Sequence, residues 1–252
     1  MNTESFNNKV VLITGAAGGF GTLLAKHLST AGAKLVLSDR NEQGLTELRK
    51  KLSGDPANIT TQTCDVTAET EVAALVSTAV ENYGRLDIAI NNAGMSTPMK
   101  LLIDTTEEEL DLNFAVNTKG VFFGMKYQIR QMLTQGEGII LNVASKAGLG
   151  GAPKLTSYAA AKHAVVGITK TAALEYAKKN IRVNAICPYF SPTPMVTEGM
   201  DDSLQDMLAK ASPMKRLGTP DEMVTAMLML INPENSYLNG QAIAVDGAAS
   251  AL

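Results

Sequence analysis

Tryptophan is absent from this sequence, and cysteine and histidine occur only twice each. The two cysteines, Cys64 and Cys187, lie far apart in the chain. They form neither a disulfide framework nor a zinc motif, and they favour a reducing compartment. With two histidines we expect no multi-histidine metal site and no bound metal. No hydrophobic run is long enough to span a bilayer, and residues 1–9 lack the apolar core of a signal peptide. We therefore expect a soluble, cytoplasmic protein.

An excess of charge of one sign is also lacking. The 22 Lys and Arg residues nearly balance the 25 Asp and Glu residues, which leaves a net charge of −3. This balance gives no electrostatic footprint for nucleic acid or an anionic membrane, so we expect neither as a partner. Hydrophobic residues make up 45% of the 252 positions, which is enough for a sizeable core.

Short β-rich runs alternate with amphipathic helical stretches, and no linker divides the chain. This alternation predicts an α/β fold, in which residues 1–252 form one doubly wound domain with a seven-stranded parallel sheet and helices on both faces. The predicted strands are Val10–Thr14, Lys34–Ser38, Ile59–Cys64, Leu86–Ile90, Gly138–Val143, Ile181–Ile186 and Gln241–Val245. The predicted helices are Gly19–Ala31, Glu42–Leu52, Glu69–Asn82, Glu107–Met132 with a break near Asn117, Thr156–Lys178 and Asp221–Leu230.

Residues 188–220 hold five of the nine prolines and no clear strand. A long irregular stretch is typical of a lid or binding loop, and we expect a substrate loop here. Met195, Met200, Met207 and Met214 add flexible apolar surface to it. Plain packing is the commoner role of such methionines, although in a mobile loop they would suit an apolar pocket.

A glycine-rich turn follows the first predicted strand and precedes the first predicted helix. Glycines allow a tight turn and a close approach of the backbone to a ligand, and a helix N-terminus favours an anion. At this place in a βα unit, the turn predicts a site for the pyrophosphate of a dinucleotide. The candidate cofactor-binding residues here are Gly15, Gly18, Gly19, Phe20 and Gly21.

Asp39, just past the second strand, has the spacing from these glycines that suits a ribose-binding carboxylate. It would accept hydrogen bonds from the adenosine ribose and repel a 2′-phosphate, although a turn or helix-capping aspartate is a common alternative. Arg40 beside it could meet a 2′-phosphate, whereas Gly18 carries no basic side chain. We therefore expect NAD(H) rather than NADP(H).

Tyr158 and Lys162 are four residues apart in a predicted helix, which places them on one face. A nearby ammonium lowers the pKa of a phenol and lets tyrosine exchange a proton with a substrate oxygen. The spacing alone also fits an ordinary surface pair.

Several motifs in one order make the chain resemble the short-chain dehydrogenase/reductase family over nearly its whole length. They are Thr14 to Gly21, Asp65-Val66, Asn91-Asn92-Ala93-Gly94, Asn117, Ser145, Tyr158 to Lys162 and Pro188 to Thr193. The resemblance implies a Rossmann-like domain and a homotetramer that pairs the helices of residues 107–132 and 156–178.

The resemblance also implies roles for four catalytic residues. Tyr158 would be the general acid/base, and Lys162 would lower its pKa and bind the nicotinamide ribose. Ser145 would hold the substrate oxygen, and Asn117 would hold a water in a proton relay. The ordinary alternative for Ser145 is a capping serine, and for Asn117 it is a polar residue at a helix break.

Further cofactor contacts follow from the resemblance. It implies that Asn91 steadies the sheet, and that the backbone near Ala93 and Gly94 lies along the cofactor. Asp65 and Val66 would flank the adenine. Pro188 and Thr193 would lie beside the nicotinamide.

One position departs from the family pattern, because Tyr189 stands where glycine usually follows the proline. Tyr189 and Phe190 could narrow the pocket or stack on a substrate, and packing into the core or a subunit contact is an equal alternative. The candidate substrate-pocket residues are Met95, Ser96, Ala147, Tyr189, Phe190, Met195 and Val196.

Together these features predict an NAD-dependent oxidoreductase that acts on a secondary alcohol or its ketone, with a hydrophobic or cyclic substrate favoured. A first alternative is an NADPH-dependent 3-oxoacyl-thioester reductase. A second is a catalytically idle NAD-binding sensor or scaffold, although Tyr158, Lys162 and Ser145 are all present.

Overall fold

The computed structural model describes residues 3–198 and 201–251. Seven parallel strands form one sheet in the order β3-β2-β1-β4-β5-β6-β7, so the predicted Rossmann-like architecture is confirmed. The strands are β1 (Val10–Thr14), β2 (Lys34–Asp39), β3 (Ile59–Thr63), β4 (Ile88–Asn91), β5 (Gly138–Val143), β6 (Ile181–Pro188) and β7 (Ala242–Val245).

Helices cover both faces of this sheet. They are α1 (Gly19–Thr30), α2 (Glu42–Lys51), α3 (Glu69–Tyr83), α4 (Glu107–Asn113), α5 (Gly120–Gln135), α6 (Thr156–Tyr176), α7 (Pro194–Thr197), α8 (Asp202–Ala211) and α9 (Pro220–Ile231). None of the helices in these ranges is long and apolar enough to cross a membrane.

Alternation of side chains across the strands divides the core into two layers. In β1, Val11 and Ile13 pack with α1 and α9 on one face, while Val10 and Leu12 pack with α3 and α5 on the other. Every residue of β1, β4 and β6 is buried. Strands buried on both faces explain the continuous apolar runs in the sequence.

The predicted break near Asn117 is a widened turn. The helical path continues from α4 through a π-helical segment, Phe114–Lys119, into α5. π-helical turns inside α-helices are rare and occur often at functional sites. The segment widens the turn at Asn117 without ending the helix.

Residues 188–220 are more regular than the sequence analysis predicts. β6 extends to Pro188, and α7 and α8 lie within this stretch. Asp201 caps α8 by accepting a hydrogen bond from Leu204 N at 2.8 Å, and Leu208 is buried. The cap and the apolar spacing were the available signals for this helix. Met200 lies outside the described residues.

The strand order reverses between β1 and β4, because β2 lies on one side of β1 and β4 on the other. In doubly wound sheets a crevice opens at this switch point, outside the carboxyl ends of the strands. The glycine-rich turn after β1 and the Asn91–Gly94 segment after β4 both lie there.

Candidate active site

A cavity of about 850 Å³ opens at the carboxyl ends of the strands. This volume is within the range of small-molecule and cofactor sites. The predicted site residues line it, with the exception of Gly21, Asn91 and Ser145. The chain therefore brings together, in one cavity, residues that lie up to about 180 positions apart in sequence.

The glycine-rich turn forms one end of the cavity. Gly15 has φ +64°, and a Cβ added to it would lie 2.8 Å from Ala93 Cα. A Cβ at Gly19 would lie 2.6 Å from Thr193 Cγ2. Gly18 is the N-cap of α1, where no side chain caps the helix. This open helix N-terminus has the backbone chemistry that favours a phosphate. Gly21 lies inside the first turn, where a Cβ would collide with Gly15 O.

Thr14 and Asn92 connect this turn to the end of β4. The Thr14 hydroxyl accepts hydrogen bonds from Asn92 N and Ala93 N, each at 3.1 Å. Asn92 Nδ2 donates to Thr14 O at 3.0 Å and to Gly15 O at 2.9 Å. These bonds fix the two sides of the crevice relative to each other. Sequence analysis assigned neither residue a separate role, although both belong to the motifs it identified.

Asp39 lies at the end of β2, with its carboxylate turned toward the glycine-rich turn. Its Oδ2 accepts from Ala17 N and its Oδ1 from Asn41 N, both at 3.0 Å. Each carboxylate oxygen has two lone pairs, so acceptor capacity remains for a ligand hydroxyl. Arg40 is exposed, and its guanidinium contributes, after hydrogen bonds from Thr67, to a lowered pKa of Asp65.

Asn91 is buried at the end of β4 and does not line the cavity. Its Nδ2 donates to Asn142 Oδ1 at 2.8 Å and to Gln128 Oε1 at 3.1 Å, and Gln128 Nε2 donates back to Asn91 Oδ1 at 2.8 Å. Asn142 Nδ2 in turn donates to Thr169 Oγ1 at 2.9 Å. This network connects β4, β5, α5 and α6 beneath the cavity.

Replacing Asn91 with leucine is expected to destabilise the fold by about 2–3 kcal/mol, because Gln128 and Asn142 would each lose buried hydrogen bonds. Urea unfolding at one fixed protein concentration measures this change in the free energy of unfolding. The matched control is Asn82→Leu on the exposed surface of α3, which should change it by less than about 0.5 kcal/mol. Equal effects of the two substitutions would show that the network adds no stability.

Tyr158, in the first turn of α6, lines the cavity opposite the glycine-rich turn. Burial raises the pKa of its phenol, and a hydrogen bond with the side chain of Ser145 partly opposes that rise. Ser145 follows β5 and also accepts a hydrogen bond from Ala147 N at 3.2 Å. Its hydroxyl therefore reaches the phenol even though Ser145 is not among the cavity-lining residues.

Lys162 lies one turn further along α6 and is only 3% exposed. Its Nζ donates to Val143 O at 2.8 Å and lies 5.6 Å from the centroid of the Tyr158 ring. Burial lowers the pKa of this ammonium to about 8. A buried amine with a displaced pKa in a cavity, next to a phenol, is an arrangement suited to proton transfer.

Asn117 lies in the π-helical segment, close to Lys162. Its amide pairs with the backbone of Met95, accepting from Met95 N at 3.0 Å and donating to Met95 O at 2.9 Å. A Cβ at Gly94 would lie 2.9 Å from Asn117 Oδ1 and 3.4 Å from Lys162 Nζ. The absence of a side chain at Gly94 leaves the space that brings these two groups close together.

The other end of the cavity is mostly apolar. Tyr189 and Phe190 meet edge to face, with ring centroids 5.0 Å apart and an interplanar angle of 84°. The predicted pocket residues Met95, Ser96, Ala147, Met195 and Val196 also line the cavity. Lining residues that the sequence analysis did not assign to the pocket include Met99, Lys146, Lys154, Leu155, Leu204 and Leu208.

The chain matches a family model described as enoyl-(acyl carrier protein) reductase over residues 15–249. A 3-oxoacyl-(acyl-carrier-protein) reductase of Thermotoga maritima is 39% identical over 239 residues, which is 95% of this chain and 96% of the relative. Levodione reductase of Leifsonia aquatica is 36% identical over 99% of this chain and 97% of its own. Cyclohexanol dehydrogenase of an Acinetobacter species, strain SE19, is 35% identical over 98% and 96%.

Solved structures agree with this relationship. A 3-ketoacyl-(acyl-carrier-protein) reductase from Brucella melitensis, complexed with NADH, superposes with a TM-score of 0.90 at 35% identity, covering 97% of this chain and 99% of that one. ElxO with NADP bound gives 0.92 at 31% identity, covering 97% and 100%. The protein described here belongs to the short-chain dehydrogenase/reductase family of oxidoreductases.

Proposed function

We propose that this protein is an NAD-dependent oxidoreductase that interconverts a secondary alcohol and its ketone. The observation that carries the proposal is the joining of two features in one cavity. Tyr158, Lys162 and Asn117 line one part of it, and the glycine-rich turn with Asp39 lines another. We further propose that residues 1–252 act as one catalytic domain whose 188–220 segment contacts the substrate.

The residues present fit a dinucleotide. The open N-terminus of α1 suits the pyrophosphate, and the crowded Gly15 and Gly19 leave no room there for side chains. The preference for NAD over NADP rests on Asp39, whose carboxylate would repel a 2′-phosphate. Arg40 also lines the cavity beside Asp39, and it is electrostatically engaged with Asp65.

In the oxidising direction, Tyr158 and Ser145 hold the alcohol oxygen, and the Tyr158 phenolate takes its proton. The charge of Lys162 stabilises that phenolate, which burial alone would disfavour. Bound NAD(H) supplies the hydride acceptor or donor. Asn117, which pairs with the Met95 backbone and lies near Lys162, would hold a water in a proton relay.

The substrate that the cavity suits best is a hydrophobic or cyclic alcohol. Apolar side chains from the 95–99 segment, from Tyr189 and Phe190 and from α7 and α8 surround the space beyond Tyr158. Apolar walls with a few fixed polar groups are typical of sites for such molecules. A relative that acts on cyclohexanol is consistent with this class of substrate.

A 3-oxoacyl-thioester reductase is the second candidate, because one relative and one solved structure carry that activity in their names. Absorbance of reduced nicotinamide distinguishes the candidates. The assay uses NAD and NADP separately with acyclic, cyclic and aryl secondary alcohols, their ketones and acetoacetyl-coenzyme A. NAD-dependent oxidation of alcohols supports the proposal, whereas turnover confined to NADPH and the thioester overturns it.

We also propose that the protein is a homotetramer. Exposed large apolar side chains lie on α4 and α5 and near the end of α6, among them Leu112 (46% exposed), Phe122 (50%) and Leu174 (85%). Such surfaces are typical of subunit contacts. Light scattering at micromolar concentration should give four times the 26.6 kDa chain mass, and a stable monomer would contradict the tetramer.

A further inference from the structure

Besides Lys162, two lysines of the connection between β5 and α6 line the cavity. They are Lys146, which directly follows Ser145, and Lys154, which is four residues before Tyr158. The acidic lining residues among those described are Asp39, at the end of β2, and Asp65, just past β3. The cavity is therefore acidic where the dinucleotide's adenosine would bind and basic where the substrate would bind.

Neither Lys146 nor Lys154 has a salt bridge or a side-chain hydrogen bond with any described residue. Their neighbour Lys100 contrasts with them, because its Nζ meets Glu109 Oε1 at 2.6 Å. Lys146 directly follows Ser145 and is half-buried. An ammonium group that has no partner among the described residues is available to a ligand that supplies the opposite charge.

Backbone contacts with Lys100 fix the position of the Lys154 main chain. Lys154 O accepts from Lys100 N at 2.9 Å, and an isolated bridge pairs Lys100 with Leu155. Residues 152–155 are thereby held against the 95–100 segment, and both contribute to the cavity wall. Leu155 is buried while Lys154 is exposed. The two lysines therefore lie near the two ends of the connection between β5 and α6, residues 144–155, and both line the cavity.

We propose that the substrate carries an anionic group, a carboxylate or a sulfonate, on its apolar frame, and that Lys146 and Lys154 bind this group. The inference rests on the proposed function and narrows its substrate class. Two ammonium groups on one stretch of the cavity wall attract an anion more strongly than one does, and salt weakens this attraction because Lys154 is exposed. The reacting oxygen would lie at Tyr158, with the anion toward the cavity rim.

The test compares two ligands of one shape, cyclohexanecarboxylate and the neutral cyclohexanecarboxamide, by calorimetry on the protein loaded with NADH. We expect the carboxylate to bind about tenfold more tightly, with the advantage shrinking as ionic strength rises. The Lys146→Met/Lys154→Met double variant should lose the difference, and Lys146→Arg/Lys154→Arg should retain most of it. Lys178→Met is the matched control. Lys178 precedes the amino end of β6, whereas the cavity lies at the carboxyl ends of the strands, and it does not line the cavity.

Three results would each overturn this proposal. They are equal affinity for the two ligands, no binding of either ligand to the NADH-loaded protein, and a carboxylate preference that survives in the double methionine variant. None of these results depends on turnover. Failure of the protein to bind NADH would instead count against the proposed function.

A kinetic experiment compares kcat/KM for 3-hydroxycyclohexanecarboxylate and cyclohexanol, and we expect the acid to be favoured about tenfold in the wild type alone.

Discussion

Replacing Tyr158 with phenylalanine is expected to lower kcat about 10³-fold, within the usual range for loss of a general acid/base. The substitution removes only the hydroxyl, so the ring keeps its place against Lys162. Affinity for NADH should change by less than about twofold, since the glycine-rich turn, Asp39 and Lys162, which the proposal assigns to cofactor binding, are unchanged. Steady-state turnover and fluorescence titration with NADH measure the two quantities.

Tyr176→Phe provides the control for this substitution. Tyr176 lies in the same helix and is half-buried, but it does not line the cavity. Its loss of a hydroxyl should leave kcat within about twofold of the wild type, as for substitutions away from a site. A Tyr158→Phe variant that kept a tenth of wild-type turnover would show that another group transfers the proton.

The pH dependence of alcohol oxidation tests the same pair. Because burial raises the pKa of Tyr158, oxidation should increase as pH rises and the phenolate becomes more populated. We propose that the Lys162 ammonium stabilises that phenolate, and burial lowers the pKa of Lys162 to about 8. Removing the charge in Lys162→Met should move the rise in rate to higher pH, because the phenolate then loses the cation that this proposal assigns to it.

Replacing Asp39 with asparagine is expected to lower the ratio of kcat/KM for NAD over NADP about tenfold or more. Asparagine is close in size, but it removes the charge that would repel the 2′-phosphate. The change also removes one acceptor from the pair that holds Ala17 N and Asn41 N. Part of the effect should therefore be weaker binding of NAD itself.

Asp65→Asn tests whether any carboxylate at this end would act in the same way. Asp65 also lines the cavity, but its Oδ1 is bonded to the backbone and hydroxyl of Thr67 at 2.9 and 2.8 Å. The Asp65→Asn substitution should change the ratio of kcat/KM for NAD over NADP by less than about threefold, as expected of an exposed charge. A wild-type protein that preferred NADP would refute the role given to Asp39.

Much of the fold could be predicted because its signals are local. Strands such as Val10–Thr14 and Gly138–Val143 are continuous apolar runs, and the structure has them at the predicted residues. The helix α8 was missed although its cap at Asp201 is a local signal, because the prolines on both sides of it favoured an irregular loop. The π-helical segment was predicted only as a break, since sequence periodicity does not distinguish a widened turn from an interrupted helix.

The candidate site was predictable to the extent that motifs identify it. The glycine-rich turn, Asp39, Tyr158 and Lys162 are motif residues, and all line one cavity. Contacts between distant residues were not predictable in the same way. The bonds of Thr14 with Asn92 and Ala93 span 78 and 79 residues, and the unpaired state of Lys146 is visible only once its surroundings are known.

Transfer of deuterium tests the central claim most directly. The best secondary alcohol from the substrate panel, labelled with deuterium on the carbinol carbon, is incubated with the enzyme and NAD. The account predicts that the nicotinamide product carries that deuterium at C4, by mass spectrometry and NMR, and that Tyr158→Phe forms almost none. Two results would contradict hydride transfer as this protein's function. One is ketone formed without deuterium in the reduced nicotinamide, and the other is no oxidation of any alcohol despite tight NAD binding.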